Sequence, residues 1–242
     1  MTSMADFARF ATRDYPTVDA RSGYAEWAGS YEDSVEDALD LDLLDALSAV
    51  PWGSVRRAAD LACGTGRTAA YLRRRGVAAI DGVDLTPEML ARARGRGAHD
   101  RLVLADVADT RLDGAAYDLV VTSLVDEHLA ELRPLYAEAH RLARPGGAFV
   151  LVGLHPHFLM ATGMPTHFHR ESGAAVAIET HVHLLGEHAS AALAAGWTLA
   201  ELRERVVDDA WVALKPQWER WRGHPVSFAF VWRRDTIRGC AG

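Results

Sequence analysis

The sequence predicts an α/β protein with a mostly parallel sheet and helices on both faces. Three observations lead there. Short apolar stretches alternate with helix-patterned ones from residue 56 to residue 154, which is the signature of repeated βαβ units. Turn signals punctuate the alternation, Asp113-Gly114 before one strand and Arg144-Pro-Gly-Gly147 before the next. A glycine-bearing loop, Asp60-Leu-Ala-Cys-Gly-Thr-Gly66, joins the first strand to the first helix. Glycine is needed there because the backbone must turn sharply and admit a ligand without a Cβ in the way.

Taken in order, residues 56–62, 78–84, 101–105, 117–123 and 147–154 read as strands, and 66–76, 86–95, 131–143 and 186–196 as helices. Two closing strands follow at 197–207 and 226–233, where the pattern turns alternating or apolar. Upstream, Tyr24, Trp27, Ala28 and Tyr31 fall on one helical face. Residues 1–50 are therefore expected to form a helical lid segment, and 51–242 the main domain, with substrate-side insertions at 155–185 and 207–225.

The loop fits two kinds of cofactor on its glycines alone. Gly64-x-Gly66-x-x-Ala69 matches the dinucleotide fingerprint, and Asp84 lies where a ribose-binding acid belongs, about twenty residues on. The acids separate the two. Asp60 sets a carboxylate against the loop, where a pyrophosphate would be repelled, and Asp106 ends the third strand, suited to a purine amino group. A ligand with a sulfonium and an ammonium group suits such a loop better than one with two phosphates.

With these pieces in place, the chain resembles the class I S-adenosylmethionine-dependent methyltransferases. The resemblance rests on Asp60-Leu-Ala-Cys-Gly-Thr-Gly66, Gly82-Val-Asp-Leu-Thr-Pro-Glu-Met89, Ala105-Asp-Val107, Tyr117-Asp-Leu-Val-Val-Thr122 and Leu142-Ala-Arg-Pro-Gly-Gly147, and it is strong over residues 20 to 155. It implies a Rossmann-like fold with a seven-stranded sheet whose last strand runs antiparallel. It also implies S-adenosylmethionine as cofactor, released as S-adenosylhomocysteine. The residues it assigns to that cofactor are Tyr24, Asp60, Ala62, Gly64, Thr65, Gly66, Asp84, Leu85, Met89, Asp106, Val107 and Ser123. Asp84 would hold the ribose hydroxyls and Asp106 the adenine amino group, while the aromatic N-terminal segment would close over the ligand.

Composition narrows the partners. A chain of 242 residues that is 49% hydrophobic can bury a full core. No apolar run approaches the roughly eighteen residues of a membrane span, and Asp6, Arg9 and Arg13 stand where a signal peptide would need an apolar core. Two cysteines, Cys63 and Cys240, give no disulfide framework, which points to a reducing cytoplasm; a monomer or homodimer is expected. The net charge of −7 offers a polyanion no attraction. The fourth strand ends in Thr122-Ser-Leu-Val-Asp126, without the signature of methyltransferases acting on exocyclic base amines. A small-molecule acceptor is expected, with no nucleic acid and no membrane partner.

Ligands bind outside the carboxyl ends of parallel strands. The segments leaving those ends, 123–130, 155–185 and 207–225, hold eight of the eleven histidines. His128 and His155 are the candidate general bases, a neutral imidazole being suited to a proton near pH 7. His157, His167, Trp211 and Trp218 are candidates for contact with the acceptor. The pairs His155/His157, His167/His169 and His181/His183 have chelating spacing, yet only Glu171 and Glu179 accompany them, and no metal is assigned. The function that follows is methyl transfer by in-line displacement, most readily to oxygen, in a setting such as natural-product biosynthesis. A cyclase or pericyclase on the same fold that retains the cofactor, and a non-catalytic cofactor-binding subunit, are the alternatives.

Overall fold

A computed structural model describes residues 7–33 and 37–236; Asp6 and Cys240 lie outside the described residues. The elements run β1 (Thr17–Val18), α1 (Ala20–Trp27), α2 (Asp37–Ala46), β2 (Arg57–Leu61), α3 (Arg67–Arg74), β3 (Ala79–Asp84), α4 (Pro87–Arg96), β4 (Arg101–Leu104) and β5 (Tyr117–Ser123). They continue with α5 (Arg133–Leu142), β6 (Ala143–Leu154), α6 (Pro156–Thr162), β7 (His167–His169), β8 (Ala175–Ile178), α7 (Leu185–Ala194), β9 (Trp197–Val206), α8 (Asp209–Leu214) and β10 (Pro225–Arg234).

Seven strands form one sheet in the order β4-β3-β2-β5-β6-β10-β9. The first five are mutually parallel, and β10 runs antiparallel to both of its neighbours. The chain therefore winds outward from β2 to β4, returns, and winds the other way through β5 and β6. That reversal parts the loops after β2 and β5 and opens a crevice at their carboxyl ends.

Alternation along the strands feeds two cores. Ala58, Leu119, Val121, Val150 and Val231 meet Leu44 of α2, Leu47 just past its end and Leu72 of α3 on one face. Ala59, Val120, Phe149, Leu151 and Phe230 meet Leu135 and Tyr136 of α5 and Ala192 of α7 on the other. The helical segment expected as a lid over 1–50 is thus divided. α2 is a structural layer of the sheet, whereas Ala20, Arg21, Tyr24 and Tyr31 before it stand over the crevice.

Two further differences have local causes. The glycine turn at 144–147 lies within β6, where the register with β5 jumps from Tyr117↔Ala143 to Leu119↔Ala148. A Cβ on Gly147 would stand 2.8 Å from the Arg144 carbonyl oxygen, so the bulge closes only around glycine. The insertion 155–185 contains α6 and the β7–β8 hairpin, and β1 pairs with β8 in a small sheet of order β1-β8-β7. A strand as short as β1 has no sequence period to find.

Candidate active site

The crevice forms a cavity of about 840 Å³, mouth included, whose walls contain Tyr24, Ala62, Gly64, Asp84, Leu85, Met89, Asp106, Val107, Ser123 and His128. The glycine loop shapes its floor: Gly64 and Gly66 take φ of +52° and +84°, and Gly66 opens α3. Ala62 also adopts φ of +53°, a conformation uncommon for a residue with a Cβ. No described atom lies within 4 Å of where a Gly64 Cβ would be, so that wall is backbone open to a ligand.

Asp84 ends β3 and is buried. Its Oδ2 accepts the Gly64 N–H and its Oδ1 accepts the Thr86 N–H, each at 2.8 Å. Burial raises its pKa against the pull of those two N–H groups. Asp106 is exposed beyond β4, its Oδ1 accepting the Ala108 N–H at 2.8 Å. Leu85, Met89 and Val107 place apolar surface beside these two acids. The donor set suits a nucleoside: acids for hydroxyl and amino groups, with apolar sides for a flat base. Asp60, Thr65 and Gly66 belong to the same loop but are not among the residues that line the cavity.

Residues 20–33 cover the opening. Tyr24 stacks on Trp27, and Trp27 on Phe168 of the hairpin, with ring centroids 5.8 Å apart in both pairs. Trp27, Phe168, Val176 and Ile178 bury one another in a cluster separate from the main cores. Glu32 fastens the cover to the loop. It accepts the Thr65 hydroxyl hydrogen bond and pairs with Arg96 at 2.7 Å. Arg96 in turn donates to the Thr65 carbonyl oxygen.

His128 is the one predicted base on the cavity wall. Its Nδ1 lies 2.8 Å from the Glu179 carbonyl oxygen. A carbonyl only accepts, so Nδ1 carries the hydrogen and Nε2 presents its lone pair. The Tyr24 hydroxyl, 2.9 Å from Nε2, donates to it. Glu127, buried, has Oε1 at 3.7 Å from the same nitrogen.

The remaining expectations are corrected by placement. His155 caps α6: its Nδ1 accepts the His157 N–H at 3.1 Å, and its Nε2 donates to Glu204 at 2.8 Å. With both nitrogens engaged away from the cavity, it has no atom free to serve as base. His157 stacks on His224, 5.1 Å between centroids, and His167 donates from Nδ1 to the Pro165 carbonyl; neither reaches the cavity. Trp211 is buried with Phe158, Val207 and Val226, and Trp218 packs on that cluster, so these tryptophans build a core at the far edge of the sheet. Among the described residues no group of three or more His, Cys, Asp or Glu side chains is arranged to hold a metal. Sequence reasoning missed Arg21, Tyr31, Val125 and Leu129 on the wall. Only Tyr31 carried a signal, as part of the aromatic stripe.

Behind His128, the same turn carries a buried acid. Asp126 fills the space that a side chain at Gly153 would need. Burial pushes its pKa up to about 7, and pushes that of His188, 3.4 Å away, down to about 3. The signs oppose. Asp126, raised from 3.8, favours the fold at low pH and loses that contribution as pH rises towards 7. His188, depressed from 6.5, favours it at high pH and loses it as pH falls. Between about pH 4 and 6.5 the two slopes cancel. Asp126→Asn leaves the histidine slope alone, so the unfolding free energy should rise with pH by about 1.4 kcal/mol per unit in that window. Urea titrations at three pH values check this; profiles parallel to the parent's would refute it.

The strand order, the reversed winding and the acid-lined crevice define a class I methyltransferase fold. Residues 59–151 match the family model described as a methyltransferase domain. A malonyl-[acyl-carrier protein] O-methyltransferase of Salmonella typhimurium is 32% identical over 135 residues, 56% of this chain and 50% of the relative. The chain thus matches about half the length of that relative. An S-adenosylmethionine-dependent methyltransferase from Mesorhizobium loti superposes with a TM-score of 0.63 at 24% identity, covering 84% of this chain and 99% of that one. The [4+2]-cyclase SpnF superposes at 0.52 with 18% identity, over 75% and 76% of the two chains. These structural likenesses establish the fold.

Proposed function

We propose that the chain methylates an oxygen atom of a small-molecule acceptor, using S-adenosylmethionine and His128 as general base. The observation that carries this reading is one cavity shared by the glycine loop, Asp84, Asp106 and an imidazole lone pair. Asp84 would hold the ribose hydroxyls, Asp106 the adenine amino group, and Leu85, Met89 and Val107 the ring faces. S-adenosylmethionine supplies, when bound, a methyl group on a sulfonium leaving group. The protein's share is to position the acceptor and take its proton. As the acceptor's hydroxyl proton passes to the Tyr24 oxygen, Tyr24 hands its own to His128 Nε2. The imidazolium so formed stands beside Glu127, and its Nδ1–H stays on the Glu179 carbonyl. The relative's name, an O-methyltransferase, supports oxygen as the acceptor atom.

Residues 7–33 and the hairpin segment 163–180 act as the cover that excludes water. Cys63 is a buried free thiol whose burial raises its pKa. Among the described residues no helix is long and apolar enough to cross a membrane. Incubating the protein with S-adenosylmethionine and a panel of hydroxyl and carboxylate acceptors should release S-adenosylhomocysteine in step with methylated product. Product formed with the cofactor unconsumed would replace this reading with a cyclase-type reaction.

A further inference from the structure

His99 lies outside the cavity and outside every motif of the fold, yet it is among the most enclosed polar groups in the molecule. Its side chain is 0% exposed, and its Nε2 is 3.1 Å from Oδ2 of Asp60, itself 1% exposed. Two glycines make its slot. A Cβ on Gly82 of β3 would stand 2.6 Å from the ring's Cδ2 and 2.7 Å from Nε2, and one on Gly66 would stand 3.2 Å from Cε1. Strand and loop both omit a side chain where the imidazole sits.

The ring's polar contacts define its state. Nδ1 is buried and without a partner. The carboxylate of Asp60 only accepts, so Nε2 carries the hydrogen. A second N–H at Nδ1 would be stranded in a dry slot at considerable cost. The pair therefore keeps the carboxylate's negative charge. That charge is felt in the loop: after burial, Asp60 is the next cause raising the Cys63 thiol, and it also contributes to raising Asp84 on the cavity wall.

We propose that His99 is a positioning residue for the cofactor site, holding the Asp60 carboxylate fixed behind the glycine loop so that the site favours a positively charged ligand. The inference rests on the reading of the cavity as an S-adenosylmethionine site. Its signature is discrimination by charge. S-adenosylmethionine carries a sulfonium and S-adenosylhomocysteine a neutral thioether, so the ratio of their affinities reports the negative field at the loop. A purely structural role would move both affinities together.

Calorimetric binding of both ligands tests it. His99→Phe keeps a ring in the slot and removes the donor, leaving the Asp60 carboxylate without its partner and free to turn away from the loop. Asp60→Asn removes the charge directly. Both should weaken S-adenosylmethionine about tenfold more than S-adenosylhomocysteine, whereas His99→Gln, which retains an N–H donor, should keep the parent's ratio. Melting curves verify folding, and the Gln and Asn variants carry the test if the Phe variant does not fold. Equal losses for both ligands, or no change, would overturn the proposal. A parent protein that binds neither ligand would overturn the cavity reading as well.

Discussion

Asp84→Ala is expected to weaken S-adenosylmethionine binding by roughly 3 kcal/mol, on the order of a hundredfold. Two losses combine. The ribose hydroxyls lose their ionised acceptor, and the Gly64 and Thr86 N–H groups lose theirs, so the loop is no longer tied to the end of β3. Asp84→Asn separates the two, because an amide oxygen can still accept from one backbone N–H while the charge is gone. Calorimetry measures both variants, and unchanged affinity in the Ala variant would reject the ribose assignment.

His128→Ala should lower turnover by about 10²- to 10⁴-fold while leaving cofactor affinity within a few-fold of the parent. Tyr24→Phe should fall in the same direction. The double variant should be scarcely worse than His128→Ala, since groups acting as one relay do not add. Single-turnover rates beside calorimetric affinities make the comparison. Near-normal turnover in His128→Ala would dismiss the base and indicate an acceptor that enters already ionised.

Most of the sheet was legible in the sequence, because its strands are apolar runs bounded by turn residues and its loop acids sit at fixed intervals. Asp84, Asp106, Gly64 and Met89, the residues to which the resemblance pointed, line one cavity in the structure. The histidines were not legible in the same way. His128 and His155 both follow strands, and nothing in their neighbours announces that one ring faces the cavity while the other caps α6. The place of Trp211 on the segment leaving β9 suggests a cavity wall, but packing with Phe158 makes it core. The sequence likewise concealed His99, whose importance depends on two distant glycines leaving a slot of one ring's width.

The pairing of β1 with β8 has a consequence for how such proteins diversify. The roof of the site is woven from two strips of chain more than a hundred residues apart, both outside the span 59–151 that matches the family model. Neither strip can be inherited alone: a foreign hairpin would meet the wrong N-terminal strand, and Trp27 would lose Phe168. Exchanging this roof between proteins of the fold would therefore mean moving both strips as a matched set, above a crevice whose floor lies within 59–151.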